Sequence, residues 1–199
     1  MPVRFLADSV PFCLYGTKEA DKMYGTDDSD MKIVGTDKIK VDESDAEARL
    51  YAHERDNGNL GKAHDIGKAF ADALLSEGGF AFEKNSASDF EARNRSILFA
   101  FTADRVLDTF MPNHIIARSA QNEFFDEIRR RNIGLYESVS RSGAFSMYLL
   151  CRRSGDGRYI GVGKVFAGVV RRPEDAKAEQ SGDELYRKYF DYCIEHIKN

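Results

Sequence analysis

A long apolar run with almost no polar face sits in the middle of the chain. Successive helical residues lie about 100° apart. On that wheel Ile97, Leu98, Phe99, Ala100, Phe101, Val106, Leu107, Phe110 and Met111 cover nearly every direction. A helix that is apolar all round is buried on most sides. The run is too short and too charged to span a bilayer, so it predicts a core helix. Two narrow polar stripes remain, one with Thr102, Arg105 and Thr109, the other with Asp104 and Asp108. Pro112 breaks the helical hydrogen-bond pattern and suits the first turn of a following helix. Beyond it Ile115, Ile116, Ala120, Phe124 and Ile128 recur at helical spacing. Residues 91–131 therefore predict a buried helix hairpin around which the remaining elements pack.

The chain has 199 residues, a length that suits one domain with a sizeable core. Its net charge of −4 argues against a general nucleic-acid binder. The charge is unevenly spread: residues 1–90 hold 11 basic and 18 acidic residues, and residues 91–199 hold 18 and 15. Cys13, Cys151 and Cys193 are odd in number and widely spaced, which argues against a disulfide framework or a cysteine zinc site. Reduced thiols and a cytoplasmic protein are the expectation, and the opening residues do not resemble a signal peptide.

Residues 1–43 are rich in Gly, Thr, Asp and Lys, with Tyr15-Gly16-Thr17, Tyr24-Gly25-Thr26 and Val34-Gly35-Thr36 as a recurring turn pattern. They predict a non-helical arm. Within it residues 31–41 allow a short β-hairpin about Gly35-Thr36-Asp37. The helical domain is expected over residues 44–199. Ser44 with Glu47 has capping-box spacing for a first helix that stops at Asn57-Gly58. A second helix covers about 60–76 and ends at Gly78-Gly79. Ser86 or Ser88 caps the central helix. After Asn132 and Gly134 a fifth helix is expected over 135–153, weakened by Gly143. The competing assignment makes 144–151 a strand paired with 159–170 across the turn Ser154-Gly155-Asp156-Gly157. Residues 159–172 otherwise form a sixth helix, and 183–198 close the chain as an amphipathic helix. A short echo links Gly67-Lys68-Ala69-Phe70-Ala71 with Gly163-Lys164-Val165-Phe166-Ala167.

Three groups of residues carry possible chemistry. His64-Asp65-Ile66-Gly67-Lys68 resembles the metal-binding pentapeptide of the HD-domain phosphohydrolases. The resemblance implies a divalent metal held by His64 and Asp65 with His53 and Asp104, activating a water for hydrolysis. The alternative is a solvated helix start with Asp65 near the positive helix end. Asp104 and Asp108, at i and i+4, can share a ligand or act as an acid–base pair, with His114 contributing. Because Arg105 points away from that stripe, a structural partner for them is expected from elsewhere, such as Arg93, Arg95 or another helix. Arg129-Arg130-Arg131, Arg152-Arg153 and Arg171-Arg172 fall at expected helix C-termini, where cations complement the helix dipole. If those ends converge, they suit an anionic partner. Tyr186, Tyr189, Phe190 and Tyr192 predict core packing first and a dimer surface second.

No GxGxxG, P-loop, GxSxG or HExxH pattern is present. The sequence thus points to an all-α bundle of about seven helices. The favoured function is non-enzymatic, a module binding a partner protein or a small ligand without a cofactor or membrane, with a homodimer possible. The alternative is a metal-dependent phosphohydrolase on His53, His64, Asp65 and Asp104. The binding-module expectation requires an exposed apolar patch or a pocket beside the central helix.

Overall fold

In the computed structural model the residues described are 37–76 and 89–198. The chain divides into two compact units, Met1–Glu43 and Ser44–Asn199, and apart from residues 37–43 of the first helix the architecture below is that of the second. It is an all-α bundle. Among the described residues its helices are α1 (Asp37–Asp56), α2 (Asn59–Leu75), α3 (Asp89–Phe110), α4 (His114–Arg131), α5 (Ile133–Arg141), α6 (Gly143–Leu149), α7 (Val162–Val169) and α8 (Ala176–Lys198). A two-residue ribbon of β1 (Arg152–Arg153) and β2 (Tyr159–Ile160) stands between α6 and α7. Helix α1 already begins at Asp37, so residues 37–43 are helical where the sequence suggested a non-helical arm, and no hairpin runs through them. The rest of the arm, the capping serines 86 and 88, and the Gly78-Gly79 stop lie outside the described residues.

Helix α3 is the hub, touching α2, α4, α5, α6, α7 and α8. Ile97 through Phe101, together with Val106 and Leu107, are buried, as an all-round apolar helix requires. Thr102 is buried too, and its hydroxyl donates to the Leu98 carbonyl at 2.8 Å. Phe110, the last residue of α3, is 38% exposed. Helix α4 makes its most extensive contact with α2 rather than α3.

The helix boundaries follow local chemistry. Gly58 adopts a left-handed φ of 73° between α1 and α2, a conformation glycine takes without steric cost. Asn113, not Pro112, starts α4: its side-chain oxygen accepts from the Ile115 and Ile116 amides, leaving Pro112 outside the helix. Asn132 closes α4 and caps α5 by accepting from Leu135 N. The single fifth helix expected over 135–153 is broken at Ser142-Gly143 into α5 and α6. The strand alternative fails for 144–149, yet Arg152 does pair with Ile160 and Arg153 with Tyr159 across the expected turn. Helix α8 begins seven residues before the expected start at 183, and Tyr186, Tyr189, Phe190 and Cys193 on it are buried, so the core assignment holds for them.

The echo between residues 67–71 and 163–167 has a packing cause. A Cβ on Gly67 would stand 2.3 Å from the Ala120 carbonyl oxygen of α4. One on Gly163 would stand 2.2 Å from the Glu179 carbonyl oxygen of α8, and Gly182 of α8 faces Gly163 in return. Three residues after each glycine, Phe70 and Phe166 fill the core. Each segment is thus a close helix crossing beside an aromatic anchor.

Candidate functional site

Asp104 is 7% exposed on the wall of α3. Its Oδ2 accepts from Arg105 Nε at 2.8 Å, and its Oδ1 accepts from Gln121 Nε2 of α4 at 2.9 Å. Arg105 also reaches Asp108 Oδ2 at 3.4 Å. The partner of both acids is therefore their own neighbour, against the expectation of a distant arginine. The reason is reach: the long flexible stem of arginine folds back across the helix surface, and i,i+3 positions are neighbours there. Burial pushes the Asp104 carboxyl above the ordinary aspartate value of 3.8, despite the guanidinium of Arg105 and the Gln121 amide that favour its charged form. Burial alone would lower the Arg105 value, but Asp104 and Asp108 outweigh it and the guanidinium is held more firmly charged.

The raised value has a direction. The folded protein holds the Asp104 proton more tightly than the unfolded chain, so stability from this site is full below the ordinary value and declines as pH rises through the raised one. In Asp104→Asn that decline should vanish. Denaturant melts of both proteins from about pH 3 to pH 7 should give a wild-type minus variant difference that falls with pH. A difference that is flat or rises would count against this assignment.

Asp104 opens onto a cleft of about 450 Å³ lined by Phe125, Asp126, Tyr136 and Phe145. His114 is not part of it. That histidine lies with His64 in another cleft, of about 610 Å³, formed by α1, α2 and α4. There His114 Nε2 stands 3.3 Å from Glu47 Oε1, and His64 Nδ1 stands 3.5 Å from Glu123 Oε2. His53 is engaged by the Asn57 side-chain amide at the end of α1, and Asp65 is exposed on α2. His64 and Asp104 therefore line different clefts, and neither cleft is lined by His53 or Asp65. Among the described residues no group of three His, Cys, Asp or Glu side chains is placed to hold a metal ion. The i,i+1 step from His64 to Asp65 turns the second side chain away from the cleft that the first enters.

Sequence reasoning missed a buried acid. Glu54, 7% exposed, accepts from the Asn59 amide at 2.5 Å and the Asn113 amide at 2.9 Å. It joins the end of α1, the start of α2 and the cap of α4. Its only sequence signal is position, in the last turn before Asn57-Gly58.

The arginine clusters do not act alike. Arg129, Arg130 and Arg131 do lie in the last turn of α4. Arg130 pairs with buried Glu127, Arg131 with Asp72 of α2, and Arg129 lies 5.8 Å from the Tyr136 ring centroid. Arg171 and Arg172 follow the end of α7, where Arg171 covers the Phe90 ring and Arg172 stands 3.9 Å from Glu91. Arg152 and Arg153 lie on β1 rather than at a helix end. Both are exposed, and among the described residues neither has an ion-pair partner.

Around β1 the surface is unusually apolar. Met147 and Leu149 are each 45% exposed, Leu150 is 86% exposed and Ile160 is 54% exposed. Ile160 stands directly across from Arg152 in the ribbon. The sequence placed Met147 to Leu150 inside a long helix over 135–153. Because α6 stops at Leu149, the chain leaves the bundle there and Leu150 faces outward.

No family model, curated protein or solved structure matches this chain. No described helix is long and apolar enough to cross a membrane. Cys151 and Cys193 are free thiols, and burial pushes the Cys193 thiol far up, which keeps it protonated and unreactive.

Proposed function

We propose that this chain is a non-enzymatic helical module that docks a partner protein on the surface formed by the end of α6 and the β-ribbon. The observation that carries this reading is the exposure of Leu150, at 86%, beside Met147, Leu149 and Ile160. Clustered exposed large apolar side chains, unlike single ones, mark interaction surfaces. The two arginines at the same place, Arg152 and Arg153, select the partner's chemistry: an amphipathic segment with apolar anchors and acidic flanks.

A photo-cross-linking residue in place of Leu150, introduced in cells that make the protein, tests this. A discrete adduct is expected at position 150. None is expected from the same group at exposed Asp65 on α2. Reversing both charges with Arg152→Glu and Arg153→Glu should abolish the adduct while leaving the thermal melt of the purified protein unchanged, since both side chains are exposed. An adduct indifferent to charge reversal, or equal capture at position 65, would defeat the proposal. An adduct that proves to be a second copy of the chain would replace it with self-association.

A further inference from the structure

We infer that a second site, independent of the docking surface, binds a small phosphorylated polyol such as a sugar phosphate. It is the cleft between the amino-terminal half of α3 and helix α5, of about 760 Å³, within the roughly 300–1,000 Å³ of small-molecule sites. Its chemistry comes from Arg93, Arg141, Ser96, Ser138, Ser142 and Asn132.

The two arginines supply the anion-binding charge. Arg93 is exposed and, among the described residues, has no ion-pair partner. Among the described residues Arg141 has one acidic neighbour, Glu137, at 3.7 Å, with the two side chains 78% and 50% exposed. Such a long, solvated pair is weak, so a phosphate that takes two charge-assisted hydrogen bonds displaces it. Among the described residues Glu137 is the single carboxylate lining the cleft, against the two arginines.

The hydroxyls supply the rest. Ser96 Oγ donates to the Ala92 carbonyl at 3.0 Å, and Ser138 Oγ donates to the Gly134 carbonyl at 2.8 Å. With their protons committed, both oxygens keep lone pairs free to accept from ligand hydroxyls. Ser142 occupies the N-cap position of α6 but makes no capping hydrogen bond. Its Oγ is buried and, among the described residues, has no hydrogen-bond partner. A buried hydroxyl left unpaired is costly; Ser142 lines the cleft, and rotation about its Cα–Cβ bond turns the hydroxyl to a ligand oxygen there. The Asn132 oxygen caps α5, which leaves its amide N–H groups to donate. Among the described residues no aromatic side chain lines the cleft. A nucleobase would lack a stacking surface there, whereas a polyol needs only these polar groups.

Isothermal titration of the full chain with glucose phosphate, glycerol phosphate, adenosine monophosphate, inorganic phosphate and unphosphorylated glucose tests the assignment. The sugar or glycerol phosphate is expected to bind at least about tenfold more tightly than inorganic phosphate, and free glucose to give no heat. Arg93→Ala and Arg141→Ala should each weaken binding about tenfold or more, with folding checked by circular dichroism. Ser142→Ala should weaken binding without lowering the melting temperature, an outcome that a purely structural serine would not give. Absence of binding, equal affinity for inorganic phosphate, tighter binding of the nucleotide, or affinity indifferent to both arginine variants would each overturn the inference.

Discussion

Gly67→Ala is expected to destabilise the protein by about 3 kcal/mol or more, the upper end for overpacking a filled contact. The added Cβ meets the Ala120 carbonyl oxygen at 2.3 Å, the Phe124 amide nitrogen at 3.0 Å and the Glu123 Cβ at 3.1 Å. Two of those atoms are backbone of a neighbouring helix, so no rotamer change relieves the clash. The helices must separate, and α2 and α4 form the most extensive helix pair in the bundle. Separation would also expose Phe70 and Phe124, both now fully buried. Gly61, in the same helix, is the control. Among the described residues a Cβ there meets nothing within 4 Å, so Gly61→Ala should raise stability by about 0.5 kcal/mol through helix propensity and a less flexible unfolded chain. Urea unfolding of the two variants should therefore move the midpoint in opposite directions. A tolerated Gly67→Ala would mean that the α2–α4 crossing is not as close as described.

Phe101→Ala should cost about 3–5 kcal/mol, the range for truncating a buried aromatic. The Phe101 ring is fully buried on α3. Its centroid lies 5.2 Å from those of Tyr148 and Tyr159 and 5.7 Å from that of Phe145. Removing it leaves a cavity between α3, α6 and β2, and three rings lose their shared neighbour. Phe110→Ala, on the same helix, should cost much less because that ring is 38% exposed. Calorimetric melts of the two variants should rank in that order. Similar losses from both would show that α3 is not the hub of the core. The Phe101 variant should also loosen α6, so the docking surface at Leu150 would weaken with it.

These positions divide what could be read from residues alone from what could not. The burial of Ile97 to Leu107 followed from an apolar wheel, and the α1–α2 break followed from Asn57-Gly58. The echo between Gly67-Lys68-Ala69-Phe70-Ala71 and Gly163-Lys164-Val165-Phe166-Ala167 was visible, but not its cause, since a close crossing needs a partner helix that is remote in sequence. The acid pair Asp104 and Asp108 was visible, while its partner was misjudged. Wheel geometry describes where a side chain starts and not where a long guanidinium ends. His64 and Asp104 line different clefts, and motif spacing cannot say which helix faces meet.

The sequence by itself determined the helical class, the central buried helix, and the breaks at Asn57-Gly58, Pro112-Asn113 and Asn132. Those rest on periodicity and capping, which act over one to three turns. Only the tertiary structure decided that Glu54 is buried under two amides and that His64 and His114 share a cleft without Asp104. It alone brought Arg93 and Arg141 to one polar cleft and turned Leu150 outward where α6 ends. Each of these depends on how helices far apart in the chain cross, and crossing geometry is set by the summed packing of many side chains rather than by any local pattern.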